Sequence, residues 1–338
     1  MARFMRWHVA SKLTLLQVAG ALLGWALMDF PVLSAQSGNY FHPGGRIMKV
    51  FRELIMSGRW AGLLGVLLVP GMALAGFSGH QLVSAGADRE YTLYIPDDIP
   101  GGAMPLVFSF HGSGGYPQSQ IDTSHFDVLA EAHGFAVVFP AGAFTNSVTE
   151  RSWNANGETG VDDVQFVRDM IEDIAGRVEI DRSRIYASGF SGGARISSRL
   201  GCELSDVLAA AAPVAGLQYP DDCTLKRPIP IISFHALDDQ VNHYDLSGDS
   251  RPYWRMGVET ALDKWRQANG CTLANEAVQV ASGITKYMWS SCDTDAVIQF
   301  YQTVSGGHTW PGSDSSGALQ NMDASELIWE FFSQHRLP

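Results

Sequence analysis

The segment 185–193, which reads I-Y-A-S-G-F-S-G-G, constrains the fold of this chain more than any other stretch. A β-type run leads into G-x-S-x-G, and the residues that follow suit a helix. A strand that turns this sharply into a helix leaves no room for side chains beside the turn. Glycine at positions 189, 192 and 193 satisfies that condition. The pattern predicts that Ser191 lies at a strand end, where a nucleophile is exposed.

A serine nucleophile needs a histidine to take its proton and a carboxylate to orient that histidine. Downstream of Ser191, an apolar run typical of a buried strand ends near the adjacent Asp238 and Asp239, and a later β-rich run ends near His308. His308 follows two glycines and precedes Thr-Trp-Pro, which is typical of a loop histidine. The order serine, acid, histidine predicts a triad of Ser191, His308 and one of the two aspartates. Spacing from the strand does not separate Asp238 from Asp239.

A third strand candidate, residues 105–110, ends in H-G-S-G-G. Backbone N–H groups after such a strand, together with the N–H that follows the nucleophile, are what the oxyanion of an acyl transfer requires. We therefore expect the oxyanion donors to be the N–H groups of Ser113 and Gly192. The alternative is an ordinary glycine-rich turn.

Other residues in these loops have structural explanations that compete with functional ones. Asp162 and Asp163 open a predicted helix, where carboxylates cap free N–H groups. His111 and His235 each follow a strand, and a structural hydrogen bond in a tight turn is the favoured interpretation over a catalytic base.

Two tryptophans, Trp153 and Trp310, flank the expected site loops. They are candidates for lining an acyl or aromatic pocket. Tryptophan is equally common as an anchor of the hydrophobic core, so both interpretations stay open.

Composition excludes several classes of partner. The 338 residues are 46% hydrophobic and only 17% charged, with a formal net charge of −12, which disfavours nucleic acid and anionic membrane surfaces. The chain contains no P-loop, no G-x-G-x-x-G after the first strand and no Cys–His cluster with zinc spacing. The sequence implies no cofactor and no metal.

Residues 1–75 are predicted to be a leader. Two cationic-then-apolar stretches follow each other at 1–35 and 48–75, and the second ends in M-A-L-A, as a secretory signal peptide does. We expect the signal at 48–75, with translation from Met48 or Met56. A membrane anchor at 13–28 is the alternative, although both apolar runs are shorter than the ~20 residues of a spanning helix.

The four cysteines, Cys202, Cys223, Cys271 and Cys292, all follow this leader. An even number in an exported chain predicts two disulfides, for which three connectivities exist. We expect the sequential pairs Cys202–Cys223 and Cys271–Cys292, each closing a loop of about 20 residues. Four free thiols would fit a cytosolic protein and conflict with the signal. The expected location is therefore secreted or periplasmic.

From residue 76 onward, β-type runs alternate with helical patterns. Strands are predicted at residues 91–95, 106–110, 136–139, 184–187, 209–214, 229–234, 277–287 and 296–304. Helices are predicted at residues 125–133, 161–178, 192–204, 258–268 and 324–335. This alternation indicates an α/β fold with a mostly parallel sheet covered by helices on both faces. No linker divides residues 76–338, so one domain is expected.

Several of these motifs together resemble a known family. They are S-W-N-A-N-G at 152–157, G-V-D-D at 160–163, the G-x-S-x-G turn, the loop after His235 and G-G-H-T-W-P-G at 306–312. The set is similar to that of the polyhydroxybutyrate-depolymerase-like esterases, a group that includes the feruloyl and acetylxylan esterases of carbohydrate esterase family 1. The resemblance runs from about Arg89 to the C-terminus and implies the α/β-hydrolase fold.

The resemblance also bears on single residues. The family's acidic loop usually reads His-Gly-Thr-x-Asp, a register that implies Asp239 as the acid. This chain differs from that pattern at Ala236 and Leu237. It also has Ser113 where the family often has cysteine, and Gly192 where a larger residue is common. These differences change the expected shape of the site and leave its triad intact.

The resemblance implies a serine carboxylesterase that acts on feruloyl or acetyl esters of plant polysaccharide or on related soluble esters. A poly(3-hydroxybutyrate) or oligomer depolymerase is the alternative. No stretch after His308 is long enough for a polymer-binding module, which favours soluble esters and oligomers. A serine peptidase on the same fold and a non-catalytic binding module are rivals from other classes. The sequence does not indicate an oligomeric state.

The leader interpretation predicts the mature N-terminus. Because the A-x-A-like site ends at Ala75, Edman sequencing of the exported protein should begin near Gly76. A mature chain that begins near Gln36 would contradict it.

Overall fold

The computed structural model describes residues 75–97, 101–144, 150–246, 251–272, 276–315 and 317–338. The predicted leader at 1–75 lies outside these ranges except for its last residue. The strands are β1 (Gly76–Ser84), β2 (Ala87–Ile95), β3 (Met104–Phe110), β4 (Ala136–Pro140), β5 (Ala143–Phe144), β6 (Arg151–Ser152), β7 (Ile180–Phe190), β8 (Ala210–Val214), β9 (Ile231–Ala236), β10 (Glu276–Ala281), β11 (Ile284–Trp289) and β12 (Ile298–Thr303). The helices are α1 (Pro117–Ser124), α2 (Phe126–His133), α3 (Asp163–Ala175), α4 (Gly192–Glu203), α5 (Val258–Ala268) and α6 (Ala324–Ser333).

Ten of the described strands form one sheet in the order β1-β2-β4-β3-β7-β8-β9-β12-β11-β10. The six central strands, from β4 to β12, pair in parallel. Antiparallel hairpins extend the sheet at both ends, β1–β2 beyond β4 and β10–β11 beyond β12. Short β5 and β6 pair separately. The structure confirms the predicted mostly parallel sheet.

Burial on both faces explains why the central strands are largely apolar. All seven residues of β3 are buried. Leu106, Phe108 and Phe110 face a cluster that includes α3, α4 and α5, whereas Val107 faces a cluster that includes α1, α2 and α6. Because side chains alternate along a strand, a strand such as β3 contributes to two cores, which favours apolar residues on both of its faces.

The edges of the sheet differ from the sequence prediction. The single strand expected at 277–287 is wrong, because β10 and β11 form a hairpin around Gly283, whose φ of +71° is one that glycine adopts without strain. Strand β1 and helix α1 were not predicted. Helix α1 begins at Pro117, whose ring suits the first turn of a helix.

Both expected disulfides, Cys202–Cys223 and Cys271–Cys292, are present, and each spans 21 positions. The first joins α4 to the loop before β9, and the second joins the end of α5 to the segment after β11. None of the helices in the described ranges has both the length and the hydropathy to cross a lipid bilayer.

Strand β3, strand β7 and helix α4 meet at very close range. A Cβ on Gly189 would lie 2.5 Å from the Gly193 carbonyl carbon, and a Cβ on Gly193 would overlap the carbonyl group of Phe110. Glycine at these two positions is therefore a packing requirement. It lets the helix approach the ends of both strands.

We predict that Gly193→Ala lowers the free energy of unfolding by about 3 kcal/mol or more, because backbone must move to admit the methyl group. Gly201→Ala on the same helix is the matched control. Its Cβ would lie 3.4 Å from the Ala211 Cβ, an ordinary contact, so its effect should stay within about 1 kcal/mol. Chemical denaturation of both variants measures this difference, and equal effects would contradict the packing argument.

Candidate active site

Ser191 occupies the single residue between β7 and α4. Its backbone has φ 56° and ψ −111°, a conformation that is strained for any residue with a Cβ. A hydrogen bond of 2.9 Å from the Ser191 N–H to the Val214 carbonyl, at the end of the neighbouring β8, holds it there. The turn raises the serine side chain at the carboxyl edge of the sheet, as a nucleophile elbow requires.

The structure brings Ser191, His308 and Asp239 together. His308 Nε2 lies 2.8 Å from Ser191 Oγ, and His308 Nδ1 lies 2.8 Å from Asp239 Oδ2. With its proton on Nδ1, the imidazole donates to the carboxylate and accepts from the serine hydroxyl. The three residues follow β7, β9 and β12, whose carboxyl ends lie at the same edge of the sheet. This hydrogen-bond chain can activate a serine hydroxyl for attack on an acyl carbon.

The geometry separates the two aspartates that spacing left open. Asp239 is buried and also accepts hydrogen bonds from the N–H groups of Val241 and Asn242, at 2.8 and 2.9 Å. Asp238 is exposed, and its Oδ1 accepts from the Gly307 N–H at 2.8 Å, next to the histidine. Asp239 therefore contacts the imidazole, and Asp238 supports the histidine loop.

Electrostatics favour an ionised Asp239. Burial alone would raise its pKa, but the hydrogen bond and charge interaction with His308 and the N–H donor of Asn242 lower the pKa below its usual value. Because the carboxyl stays charged, it can stabilise an imidazolium that forms next to it.

His235 is enclosed beside this carboxylate and has a structural hydrogen bond, as expected. Its Nε2 lies 2.8 Å from the Asn242 carbonyl, to which it donates, and 3.4 Å from Asp239 Oδ2. Burial lowers its pKa, which favours the neutral ring. Neighbouring Trp254 stacks on it at 5.7 Å between ring centroids.

His111 also has a structural position. Its Nδ1 donates to the Gly112 carbonyl at 2.7 Å, and its Nε2 accepts from the Gly142 N–H at 3.0 Å. Both bonds need a neutral ring with the proton on Nδ1. Burial lowers the pKa of His111 to about 4. The imidazole thereby fixes the loop that follows β3 without acting as a base.

The two residues whose N–H groups are expected to form an oxyanion hole lie next to each other. A Cβ on Gly192 would lie 2.9 Å from Ser113 N, which places the two residues side by side. The next two N–H groups are already used, since Gly114 donates to Arg151 and Gly115 donates to Gly112. Within the described ranges the N–H groups of Ser113 and Gly192 donate to no protein acceptor. They are available to a substrate oxygen.

The two tryptophans have different positions. Trp153 lines a cavity of about 290 Å³ together with Ser113, and its Nε1 donates to the His111 carbonyl at 2.8 Å. Of the two interpretations left open for Trp310, the structure supports an anchor of the hydrophobic core. It is 1% exposed, donates to Ser325 Oγ and packs edge-on against Phe126 in the core.

Asp162 and Asp163 are structural, as predicted. Asp162 caps α3 by accepting from the Gln165 N–H at 2.8 Å. Asp163 is buried, forms an ion pair with Arg89 at 2.7 Å and accepts from the Asn154 N–H at 2.7 Å. These bonds tie the first helical turn of α3 to β2 and to the loop after β6.

Sequence analysis missed Arg195, which lies on α4 one helical turn after Ser191. It lines the Trp153 cavity together with Tyr253, and also an adjoining cavity of about 350 Å³. Residues i and i+4 lie on one face of a helix, so the spacing of four residues between Ser191 and Arg195 in the sequence could have identified Arg195 as a neighbour of the site. The two cavities form a groove beside the candidate oxyanion hole.

The sheet order, the strained serine turn and the positions of the three loops define the α/β-hydrolase fold. A solved acetyl xylan esterase from Aspergillus awamori has this fold. It matches with a TM-score of 0.56 at 15% identity, over 76% of this chain and 99% of that chain.

The chain belongs to the Esterase PHB depolymerase family, a family of carboxylic ester hydrolases whose model matches residues 89–284. It is similar to feruloyl esterase B from Piromyces equi, with 31% identity over 261 residues, 74% of this chain and 46% of that protein. It is also similar to the bifunctional acetylxylan esterase/xylanase XynS20E from Neocallimastix patriciarum, with 29% identity over 254 residues, 74% of this chain and 34% of that protein. The chain thus spans between a third and a half of the length of these two relatives.

The depressed pKa of His111 predicts a loss of stability in mild acid. As the pH falls below about 6.5, an unfolded chain protonates this ring, whereas the folded protein does so only near pH 4. This difference removes about 3 kcal/mol of stability between these two pH values. His111→Gln should show a smaller decrease over the same window in pH-dependent chemical denaturation. The exposed His133→Gln is the control, and identical pH profiles for both variants would contradict the assignment.

Proposed function

We propose that this protein is a serine carboxylesterase with Ser191 as its nucleophile. The observation that carries the proposal is the continuous hydrogen-bond chain from Ser191 through His308 to buried Asp239. Membership in an esterase family supports carboxylic esters as the substrates.

In this mechanism His308 Nε2 takes the proton of Ser191 Oγ as that oxygen attacks the ester carbonyl. Asp239 keeps the imidazole oriented and stabilises its cationic form. The N–H groups of Ser113 and Gly192 donate to the oxyanion of the tetrahedral intermediate. His308 then gives the proton to the leaving alcohol, and an acyl-enzyme remains. A water molecule then attacks the acyl carbon while His308 takes its proton. The bond to Ser191 Oγ breaks, His308 returns the proton to that oxygen, and the acid is released.

For the substrate we favour feruloyl or acetyl esters of plant polysaccharide, because the two relatives that we report are a feruloyl esterase and an acetylxylan esterase. Soluble esters of 3-hydroxybutyrate oligomers are the second candidate, and the family description supports them. Charged and polar side chains, among them Arg195 and Arg255, contribute to the lining of the groove beside Ser113, which suits a hydrophilic alcohol part of the ester.

We further propose that the protein acts in an oxidising compartment, secreted or periplasmic, after removal of a signal at 48–75. The two disulfides support this location, because such bonds persist outside the reducing cytosol. The mature enzyme would then comprise residues 76–338.

We predict that Ser191→Ala and His308→Ala each lower kcat/KM for p-nitrophenyl acetate by about 10³- to 10⁶-fold. Asp239→Asn should lower it by about 10³- to 10⁴-fold, since the amide favours the wrong imidazole tautomer. Asp238→Asn is the matched control. Its amide oxygen can still accept from Gly307, so the loss should stay below about tenfold. A larger loss for Asp238→Asn than for Asp239→Asn would reverse our assignment of the acid.

Substrate class requires a separate panel of methyl ferulate, acetylated xylan, 3-hydroxybutyrate oligomers and a p-nitroanilide matched to the p-nitrophenyl ester. Ser191-dependent release from ferulate or acetylated xylan is the expected result. Preference for the oligomers would favour the depolymerase assignment, and cleavage of the anilide at comparable rates would favour a peptidase. Absence of Ser191-dependent hydrolysis of any ester would overturn the proposed function.

A further inference from the structure

Arg195 is a nearly buried cation without an acidic partner in the described part of the chain. Its side chain is on α4, and the residue is only 8% exposed. Nη2 donates to Ser113 Oγ at 3.1 Å, the guanidinium lies 3.9 Å above the Tyr253 ring, and Nη1 has no hydrogen-bond partner. Burial lowers the pKa of the guanidinium below its usual value, and Tyr253 offsets only part of this effect. Arginine nevertheless stays protonated in proteins.

The other arginines of the same groove are all neutralised. Arg199 pairs with Glu203, Arg151 pairs with Glu90, and Arg255 pairs with both Asp221 and Glu158. They are also more exposed than Arg195. An unpaired charge costs more free energy in a buried position than at the surface. The most buried arginine of the groove is thus the one that lacks an acidic partner among the described residues.

The guanidinium lies beside the candidate oxyanion hole. A Cβ on Gly192 would lie 3.3 Å from Arg195 Nη2 and 2.9 Å from Ser113 N. A substrate whose carbonyl oxygen contacts the N–H groups of Ser113 and Gly192 would therefore bind next to this cation. Arginine binds carboxylates well, since its planar fork matches their two oxygens.

The surrounding charges restrict such a site to the inner part of the groove. Glu150 and Glu158 line the Trp153 cavity as well, but both are exposed, and Glu158 already pairs with Arg255. The formal net charge of −12 repels anions in general, although salt screens distant charges beyond about 8 Å. An anionic group gains most where it reaches Arg195 directly.

We propose that Arg195 forms a carboxylate subsite of this enzyme, and that its preferred substrates are esters that bear a carboxylate a few bonds from the scissile carbonyl. The inference rests on the proposed esterase function and narrows its substrate class. The carboxylate can belong to the acyl part, as in a half-ester of a dicarboxylic acid. It can also belong to the alcohol part, as in an ester of a hydroxy acid or of a uronic acid.

Two substrate pairs test the proposal and separate these two sources. In the first pair, monomethyl glutarate carries a carboxylate on the acyl side and methyl hexanoate is its neutral counterpart. In the second pair, 4-acetoxybutanoate carries a carboxylate on the alcohol side and pentyl acetate is its neutral counterpart. The wild-type enzyme should hydrolyse the anionic member of at least one pair with a kcat/KM about tenfold above that of its neutral counterpart. Arg195→Gln should reduce this preference at least tenfold, and Arg195→Lys should retain part of it.

Arg199→Gln, one turn further along α4, is the matched control and should change the preference less than twofold, because Glu203 already neutralises that arginine. Comparing preferences between variants cancels the intrinsic reactivities of the esters. Thermal unfolding of each variant verifies that it is folded. If Arg195→Gln does not fold, two measurements on the wild-type enzyme replace it. A preference for the anionic esters, together with competitive inhibition by glutarate that weakens with added salt, would support the subsite.

The outcomes distinguish the two proposals. Equal hydrolysis of both members of each pair, together with no inhibition by glutarate, would overturn the carboxylate subsite and leave the esterase function standing. An equal loss on anionic and neutral esters in Arg195→Gln would also overturn it, and would show that Arg195 acts through Ser113 instead. No Ser191-dependent hydrolysis of these four esters, of p-nitrophenyl acetate or of the esters in the substrate panel would overturn both proposals.

Discussion

The site depends on one close contact, in which Gly193 at the start of α4 packs against the backbone carbonyl of Phe110 at the end of β3. Only the absence of a side chain permits this approach. It fixes α4 against β3, and the residues that follow β3 form the loop that contains Ser113. The N–H groups of Ser113 and Gly192 come to lie side by side as a consequence, and the strained backbone of Ser191 is held between rigid elements rather than in a flexible loop.

Near this edge of the sheet, each of three buried ionisable side chains favours one protonation state. Asp239 stays ionised because His308 and backbone N–H groups contact it. Burial holds His235 and His111 in their neutral forms, in which each donates one hydrogen bond to a backbone carbonyl. Of these groups, Asp239 contacts His308 Nδ1 directly and orients its imidazole. Arg195 is the exception, a buried cation that forms no ion pair with a carboxylate in the described part of the chain.

Much of the fold was predictable because the central strands are largely apolar and the helices between them are amphipathic. The errors lie at the edges of the sheet. The run 277–287 contains β-type residues on both sides of Gly283, so local pattern gave one strand where backbone reversal makes two. Strand β1 has alternating exposed positions and polar residues, and its pairing with β2 rather than its composition makes it a strand.

The sequence by itself determined which residues are candidates to carry the chemistry. Ser191, His308 and the aspartate pair each follow a strand, and parallel strands bring their carboxyl ends to one edge whatever the details of packing. Only the tertiary structure decided where each side chain points. Asp239 rather than Asp238 contacts His308, Trp310 is in the core, and Arg195 lies beside the candidate oxyanion hole. Those directions depend on hydrogen bonds and contacts between segments distant in sequence, which no local pattern encodes.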